Sequence, residues 1–223
     1  MPVAVSAQGG VSNPQEGFLK INIFGMVEGM VANQVLMLSG ALFALTGKKP
    51  YALEGYPVHN TIYLTDYPDG GGDLVNEICT RIGGKIWQFS SRPLIKTNGL
   101  VRPTGGWCFL DIEPTAELRA IQYQVIGAVS DLRDPSCPAP DWLAAFPEKF
   151  ESFGRFGSPN VGEHYNPHFT LYSDADPELL DTAMANEVVL SMAEPILSGM
   201  SHIGVGIADD KGQVTQIVRT FPL

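Results

Sequence analysis

A fourteen-residue stretch recurs in this chain 109 positions later, and both copies carry the same polar side chains. The first copy runs from Tyr56 to Asp69 and the second from Tyr165 to Glu178. With His59 set on His168, Tyr56/Tyr165, Thr61/Thr170, Tyr63/Tyr172 and Pro68/Pro177 coincide, while Ile62 meets Leu171 and Asp69 meets Glu178. The whole sequence has four histidines, so two of them in matched contexts mark an internal duplication. A unit that occurs twice must fold twice and pack against its copy, which constrains the fold more than any compositional property.

The surrounding pattern is mixed. Phe18 to Phe24 alternates and reads as a strand. A helix is expected from about Glu28 to Leu45, ending at Gly47. His59 to Thr65 is β-prone, and the Asp69-Gly70-Gly71-Gly72 turn breaks it. Asp73 opens a short helix with Leu74, Ile78 and Ile82 on one face, stopped by Gly83-Gly84. Lys85 to Ser90 and Gly106 to Ile112 look like strands, with a Pro/Gly-containing excursion between them. A second long helix spans Pro114 to Leu132, with Leu118, Ile121, Val125 and Val129 as its core stripe. A Pro-rich connection leads to a short aromatic helix from Trp142 to Phe153 and a loop from Gly154 to Asn166. His168 to Ser173 repeats the strand, and Asp176-Pro177 caps and opens a helix to about Glu187. Ser201 to Ala208 and Val214 to Thr220 flank the turn residues Asp209 to Gly212, a hairpin signal. Each half therefore predicts the same α+β unit, two copies packed about a pseudo-twofold axis. Residues 1–17 read as a flexible arm and 18–223 as a single domain.

A hydrophobic content of 44% with 17% charged residues describes a chain that can bury a core. The net charge of −10 argues against capture of an extended nucleic-acid duplex, which needs rows of Lys and Arg. A small phosphorylated ligand needs only a local positive patch. Cys79, Cys108 and Cys137 show neither a disulfide framework nor metal spacing, and buried packing is expected of them. No secretory signal is legible, and the apolar run Val31 to Thr46 is short and interrupted for a membrane span. A cytoplasmic protein without a membrane partner is the expectation; oligomeric state is not readable.

On a strand, residues two apart share a face, so His59 projects with Thr61 and His168 with Thr170. Pseudo-symmetric packing would bring both pairs to one cleft. Two imidazoles and two hydroxyls suit phosphodiester cleavage. An ordinary imidazole titrates near about 6.5, so one neutral His takes a proton while a protonated partner gives one. The Thr hydroxyls donate to the non-bridging phosphate oxygens. No cofactor and no metal is needed.

The doubled His-x-Thr followed by an apolar residue, His59-Asn60-Thr61-Ile62 and Pro167-His168-Phe169-Thr170-Leu171, resembles the 2H phosphoesterase superfamily. Its members include the bacterial RNA 2′,3′-cyclic phosphodiesterases once called 2′-5′ RNA ligases. The resemblance spans roughly Phe18 to Leu223. It implies an α+β fold of two pseudo-symmetric lobes, with antiparallel sheets lining a central cleft and helices outside. It also implies metal-independent hydrolysis of a cyclic or 2′-5′ phosphodiester in a small nucleotide or RNA end. His59 and His168 would be catalytic, and Thr61 and Thr170 would bind phosphate. The alternative is a non-catalytic nucleotide- or RNA-end-binding module of the same fold.

Other residues are weighed by position. Tyr63 and Tyr172 share the phase of the histidines and either floor the cleft or touch substrate. Tyr56 and Tyr165 precede the strands and either stack on a base or pack internally. Arg155 is a candidate ligand contact in the loop before the second motif, and the insertion over residues 135–166 is a candidate lid or specificity element. Arg92, Lys96 and Arg102 read as a solvated basic loop. Trp87, Phe89 and Trp107 read as core. His164 and His168 have a metal-like spacing that Pro167 spoils, and Gly70 to Gly72 lack the Lys of a phosphate-binding loop.

Overall fold

Among the described residues seven strands form, and their pairing decides where the duplicated motifs meet. The computed structural model describes residues 17–68, 71–88, 92–103 and 106–223. The predicted arm lies outside these residues except for Gly17, as do Asp69 and Gly70 of the turn and Phe89 and Ser90 of a predicted strand. The strands are β1 (Phe18–Val27), β2 (His59–Pro68), β3 (Leu94–Val101), β4 (Cys108–Ile112), β5 (His168–Tyr172), β6 (Leu197–Ala208) and β7 (Val214–Pro222). Helices α1 (Met30–Thr46), α2 (Tyr51–Glu54), α3 (Gly71–Ile86), α4 (Ala116–Val129), α5 (Phe150–Phe156), α6 (Pro177–Met184) and α7 (Glu187–Met192) lie between them. No described helix is long and apolar enough to cross a membrane.

The fold is a mixture of helices with one antiparallel seven-stranded sheet, in the order β1-β2-β5-β4-β3-β6-β7 with a further β1–β6 pairing. That extra pairing separates two continuous parts, β2-β1-β6-β7 and β5-β4-β3. They join at two seams. One is the single pair Asn60 with Phe169; the other is Leu94 to Lys96 against Gly199 to Leu197. Each part draws on the opposite half of the chain: β3 pairs with β4, and β6, with β7 beside it, pairs with β1. Helices α3 and α4 pack together, with α4 against β2, while α1 packs with α6 and α7 and against β5 and β6.

Both motif strands bulge at the same place. Ile23 pairs with Tyr63 but Phe24 pairs with Thr61, which leaves Ile62 without a partner on β1. Cys108 pairs with Tyr172 but Phe109 pairs with Thr170, which leaves Leu171 unpaired in the same way. A bulge reverses the phase of everything beyond it. Ile23 and Phe24 point to opposite faces, so Tyr63 and Thr61 do too; Cys108 and Phe109 separate Tyr172 from Thr170 by the same logic.

Several expected elements differ. Helix α3 runs through Gly83 and Gly84 to Ile86, so no strand begins at Lys85, and Trp87 is 77% exposed instead of core. Neither glycine has the left-handed backbone that ends a helix. At Gly83 a Cβ would sit 2.9 Å from the Phe221 ring, so the missing side chain lets α3 lie on β7. The Pro/Gly excursion holds β3, whose inward residues Ile95 and Thr97 are fully buried while Lys96 points out. Its polar residues disguised a strand that alternates. The helix expected to reach Glu187 ends at Met184, and Asn186 caps α7 by accepting from the Val188 amide at 3.0 Å.

Phe24 is wholly buried, and its ring lies over Gly204 and Gly206 of β6. A Cβ at Gly204 would sit 2.3 Å from Phe24 Cζ. Gly204→Ala is therefore expected to destabilise the fold by about 1–3 kcal/mol through overpacking. Gly84→Ala, where a Cβ meets nothing within 4 Å, provides the neutral or stabilising control. Equal denaturation midpoints for the two variants would refute the close packing of Phe24 on β6.

Candidate active site

The Asn60–Phe169 pair fixes the geometry of the seam. Antiparallel register then sets His59 across from Thr170 and Thr61 across from His168. Asn60 and Phe169, fully buried, point to the opposite face. Directly opposed residues lie about 5 Å apart at Cβ, so the four side chains form one compact group. His59 is buried, while His168, Thr61 and Thr170 stay partly open to solvent.

The two imidazoles are held alike. His59 Nδ1 lies 2.9 Å from the carbonyl of Pro57, and His168 Nδ1 lies 2.7 Å from the carbonyl of Asn166, in each case two residues upstream. A carbonyl only accepts, so each Nδ1 carries the proton and donates it. In the neutral ring Nε2 is left as the basic nitrogen. The His59 ring meets Phe24 edge-on with centroids 5.4 Å apart; His168 stacks on Phe109 at 3.8 Å and 16°. Phe24 and Phe109 are the cross-strand partners of Thr61 and Thr170, so equivalent positions supply both aromatic supports.

Asn22 breaks the equivalence. Its Nδ2 donates to Thr61 Oγ1 at 2.9 Å and to the Gly212 carbonyl at 2.9 Å, and lies 3.5 Å from His59 Nε2. Because Thr61 Oγ1 accepts from Asn22, its own O–H is left to donate to a ligand. The corresponding place beside Phe109 is held by Trp107, whose ring is half-buried and meets Phe109 at 5.6 Å. Trp107 thus belongs to this face rather than to the core.

Burial pushes the pKa of both histidines down. For His59 the carbonyl of Pro57 opposes the shift. His168 is lowered to about 4, by burial first, against the stabilising bond to Asn166 and with a further push from the charge of His59. Solvent still reaches part of the His168 ring, and that moderates the shift.

The remaining expected contacts fall elsewhere. Beyond its bulge, Tyr63 is buried on the face away from the histidines. Its hydroxyl donates to the carbonyl of Phe156, and burial raises its pKa to about 12. Tyr172 is likewise turned away, donating to the Lys48 carbonyl at 2.9 Å. Tyr165 is 5% exposed, with its hydroxyl near Asn60 and without a geometric hydrogen-bond partner. Tyr56 is half-buried against Tyr51 at the edge of a cavity. Arg155 is exposed, its guanidinium 4.9 Å from the Phe156 ring centre. The insertion is anchored to the helix side of β2: Thr65 donates to the Gly157 carbonyl at 2.9 Å, and Gln122 on α4 donates to the Asn160 carbonyl at 3.1 Å. Lys96 and Arg102 pair with Glu113 and Asp181. Cys79 and Cys108 are buried and Cys137 half-buried. His164 sits in a one-turn 3₁₀ helix, Gly162–His164.

Asn22, Phe24 and Phe109 were not legible as site residues. Their role depends on cross-strand register, which local sequence does not encode.

No family model matches the chain, and no curated protein matches it. Among solved structures it is similar to Usb1 from Kluyveromyces marxianus with uridine monophosphate, at 10% identity and a TM-score of 0.48, over 92% of this chain and 98% of that one. A second structure of Kluyveromyces marxianus Usb1 matches at 12% identity and a TM-score of 0.47, over 92% and 97% of the two chains. Likeness at this level bears on none of the residues described above.

Proposed function

We propose that this chain is a metal-independent phosphodiesterase of the 2H type. Its substrate is a cyclic or 2′-5′ phosphodiester in a small nucleotide or RNA end, and residues 18–223 act as one bilobal domain. The observation that carries this reading is the set of four groups at the β2–β5 seam: two imidazoles sharing one tautomer, and two threonine hydroxyls, on one face. The matched bulges at Ile62 and Leu171 support a pseudo-twofold relation between the halves.

With a 2′,3′-cyclic phosphate in place, the Nε2 of one neutral histidine takes a proton from water. The water oxygen bonds to phosphorus and the bond to the 2′ or 3′ oxygen breaks. The second histidine, protonated, gives its proton to the departing oxygen. Water is consumed and the two histidines exchange protonation states. Thr61 and Thr170 donate to the phosphoryl oxygens, where charge grows in the transition state.

The test is a screen of 2′,3′-cyclic, 2′-5′ and 3′-5′ linked substrates in excess chelator. Hydrolysis of the cyclic or 2′-5′ class, undiminished by the chelator, is expected. Tight nucleotide binding without turnover of any substrate would instead establish the non-catalytic module.

A further inference from the structure

A cavity of about 350 Å³ opens between the α1–α2 corner, the end of β5 and the β6–β7 turn. It does not contain the histidines, yet it is tied to them by three short stretches of chain. Tyr56 in its wall lies three residues before His59, and Leu171 directly follows Thr170. Lys211 precedes Gly212, whose carbonyl holds the same Asn22 amide that reaches Thr61. At about 3.3 Å per extended residue, Tyr56 is within about 10 Å of His59 along the chain. A ligand spanning that distance would occupy both places.

The chemistry of the walls selects what fits. Lys48, Lys49 and Lys211 face Glu54, Asp174, Asp209 and Asp210, three positive charges against four carboxylates. Lys48 and Lys211 are already engaged, donating to the Asp174 carbonyl and carboxylate respectively. A second phosphate would find no positive surplus here. The cavity offers instead an aromatic corner: the rings of Tyr51 and Tyr56 meet at 77° with centroids 5.1 Å apart, both half-buried. Around it stand carboxylate acceptors and ammonium donors, the groups that pair with the edges of a base and the hydroxyls of a ribose. The volume lies at the lower end of ordinary small-molecule sites, of roughly 300–1,000 Å³.

We propose that this cavity receives the nucleoside on the 5′ side of the one that carries the scissile phosphodiester, so that the preferred substrate is at least a dinucleotide. The assignment rests on the phosphodiesterase reading, but its test does not require turnover. The protein carrying His59→Ala and His168→Ala is titrated with adenosine 2′,3′-cyclic phosphate and with adenylyl-(3′,5′)-adenosine 2′,3′-cyclic phosphate. The dinucleotide is expected to bind about tenfold more tightly, because base stacking on an aromatic face contributes an increment of this order or more. Tyr51→Ala on that background should bring the ratio of the two dissociation constants close to one, and Tyr51→Phe should restore it. Lys49→Glu, at an exposed position, should also lower the ratio. Equal affinities for the two ligands, no binding of either, or a ratio untouched by both Tyr51→Ala and Lys49→Glu would each overturn the subsite. A tenfold ratio lost on Tyr51→Ala, in a protein whose wild type turns over nothing, would retain the subsite and remove only the hydrolytic reading.

Discussion

His59→Ala and His168→Ala should each lower the rate of 2′,3′-cyclic nucleotide hydrolysis by about 10²–10⁴-fold, the range for losing a general acid or base. The two imidazoles act on one transition state, so the double variant should be little worse than the more damaged single variant. Both side chains stand on one strand seam, each held by a backbone carbonyl two residues upstream and an aromatic neighbour, and His59 Nε2 also lies 3.5 Å from the Asn22 amide. Truncation at His168 removes the proton-transferring ring without breaking a side-chain hydrogen bond, while truncation at His59 also frees the Asn22 amide on that side. His168, open in part to solvent, should fold normally when truncated. His59 packs edge-on against the buried Phe24, so His59→Gln is the matched control that keeps volume and loses basicity. The measurement is steady-state kcat and kcat/KM with the folding transition recorded in parallel. Wild-type activity in the double variant would end the proposal.

The pairing of the motifs was legible because its signal is local and repeated. His-x-Thr on a β-prone run predicts a shared face at a spacing of two residues, and β2 and β5 begin at the two histidines. What the pattern missed begins one residue later. The phase rule assumes an unbroken ladder, and an unpaired Ile62 or Leu171 cannot be foreseen from the strand's own sequence, since a bulge belongs to a pair of strands. Tyr63 and Tyr172 were for that reason assigned to the wrong face. The insertion over residues 135–166 was expected to bear on specificity by its composition. Its contacts instead run to Tyr63, Thr65 and Gln122 on the helix side, and the cavity lined by Tyr51 and Tyr56 is built by short turns that composition did not mark. Strand β3 was hidden by Lys96 and Asn98, which alternate outward from the buried Ile95 and Thr97.

The pH dependence should be displaced to the acid side. The reaction needs one neutral and one protonated imidazole, so the competent form of the free protein is the singly protonated pair. That form is most populated between the two macroscopic pKa values of the pair. Burial lowers both histidines from the ordinary value, His168 to about 4, and the charge of either ring further discourages the second proton. Both steps therefore lie below about 6.5. The plot of kcat/KM against pH should be bell-shaped with its maximum below pH 6.5, and its alkaline limb should fall about tenfold per pH unit. Bound substrate changes the sign of the local field. A phosphodiester anion between the rings favours the imidazolium, so the kcat profile, which reports the complex, should lie at higher pH than that of kcat/KM. Phe109→Ala supplies an independent check, because Phe109 stacks on His168 and shields it from water. Opening that side of the ring raises its pKa and moves the limb governed by His168 upward. A maximum above pH 8, or a profile flat from pH 5 to 8, would rule out the two-histidine mechanism even if the substrate class proved correct.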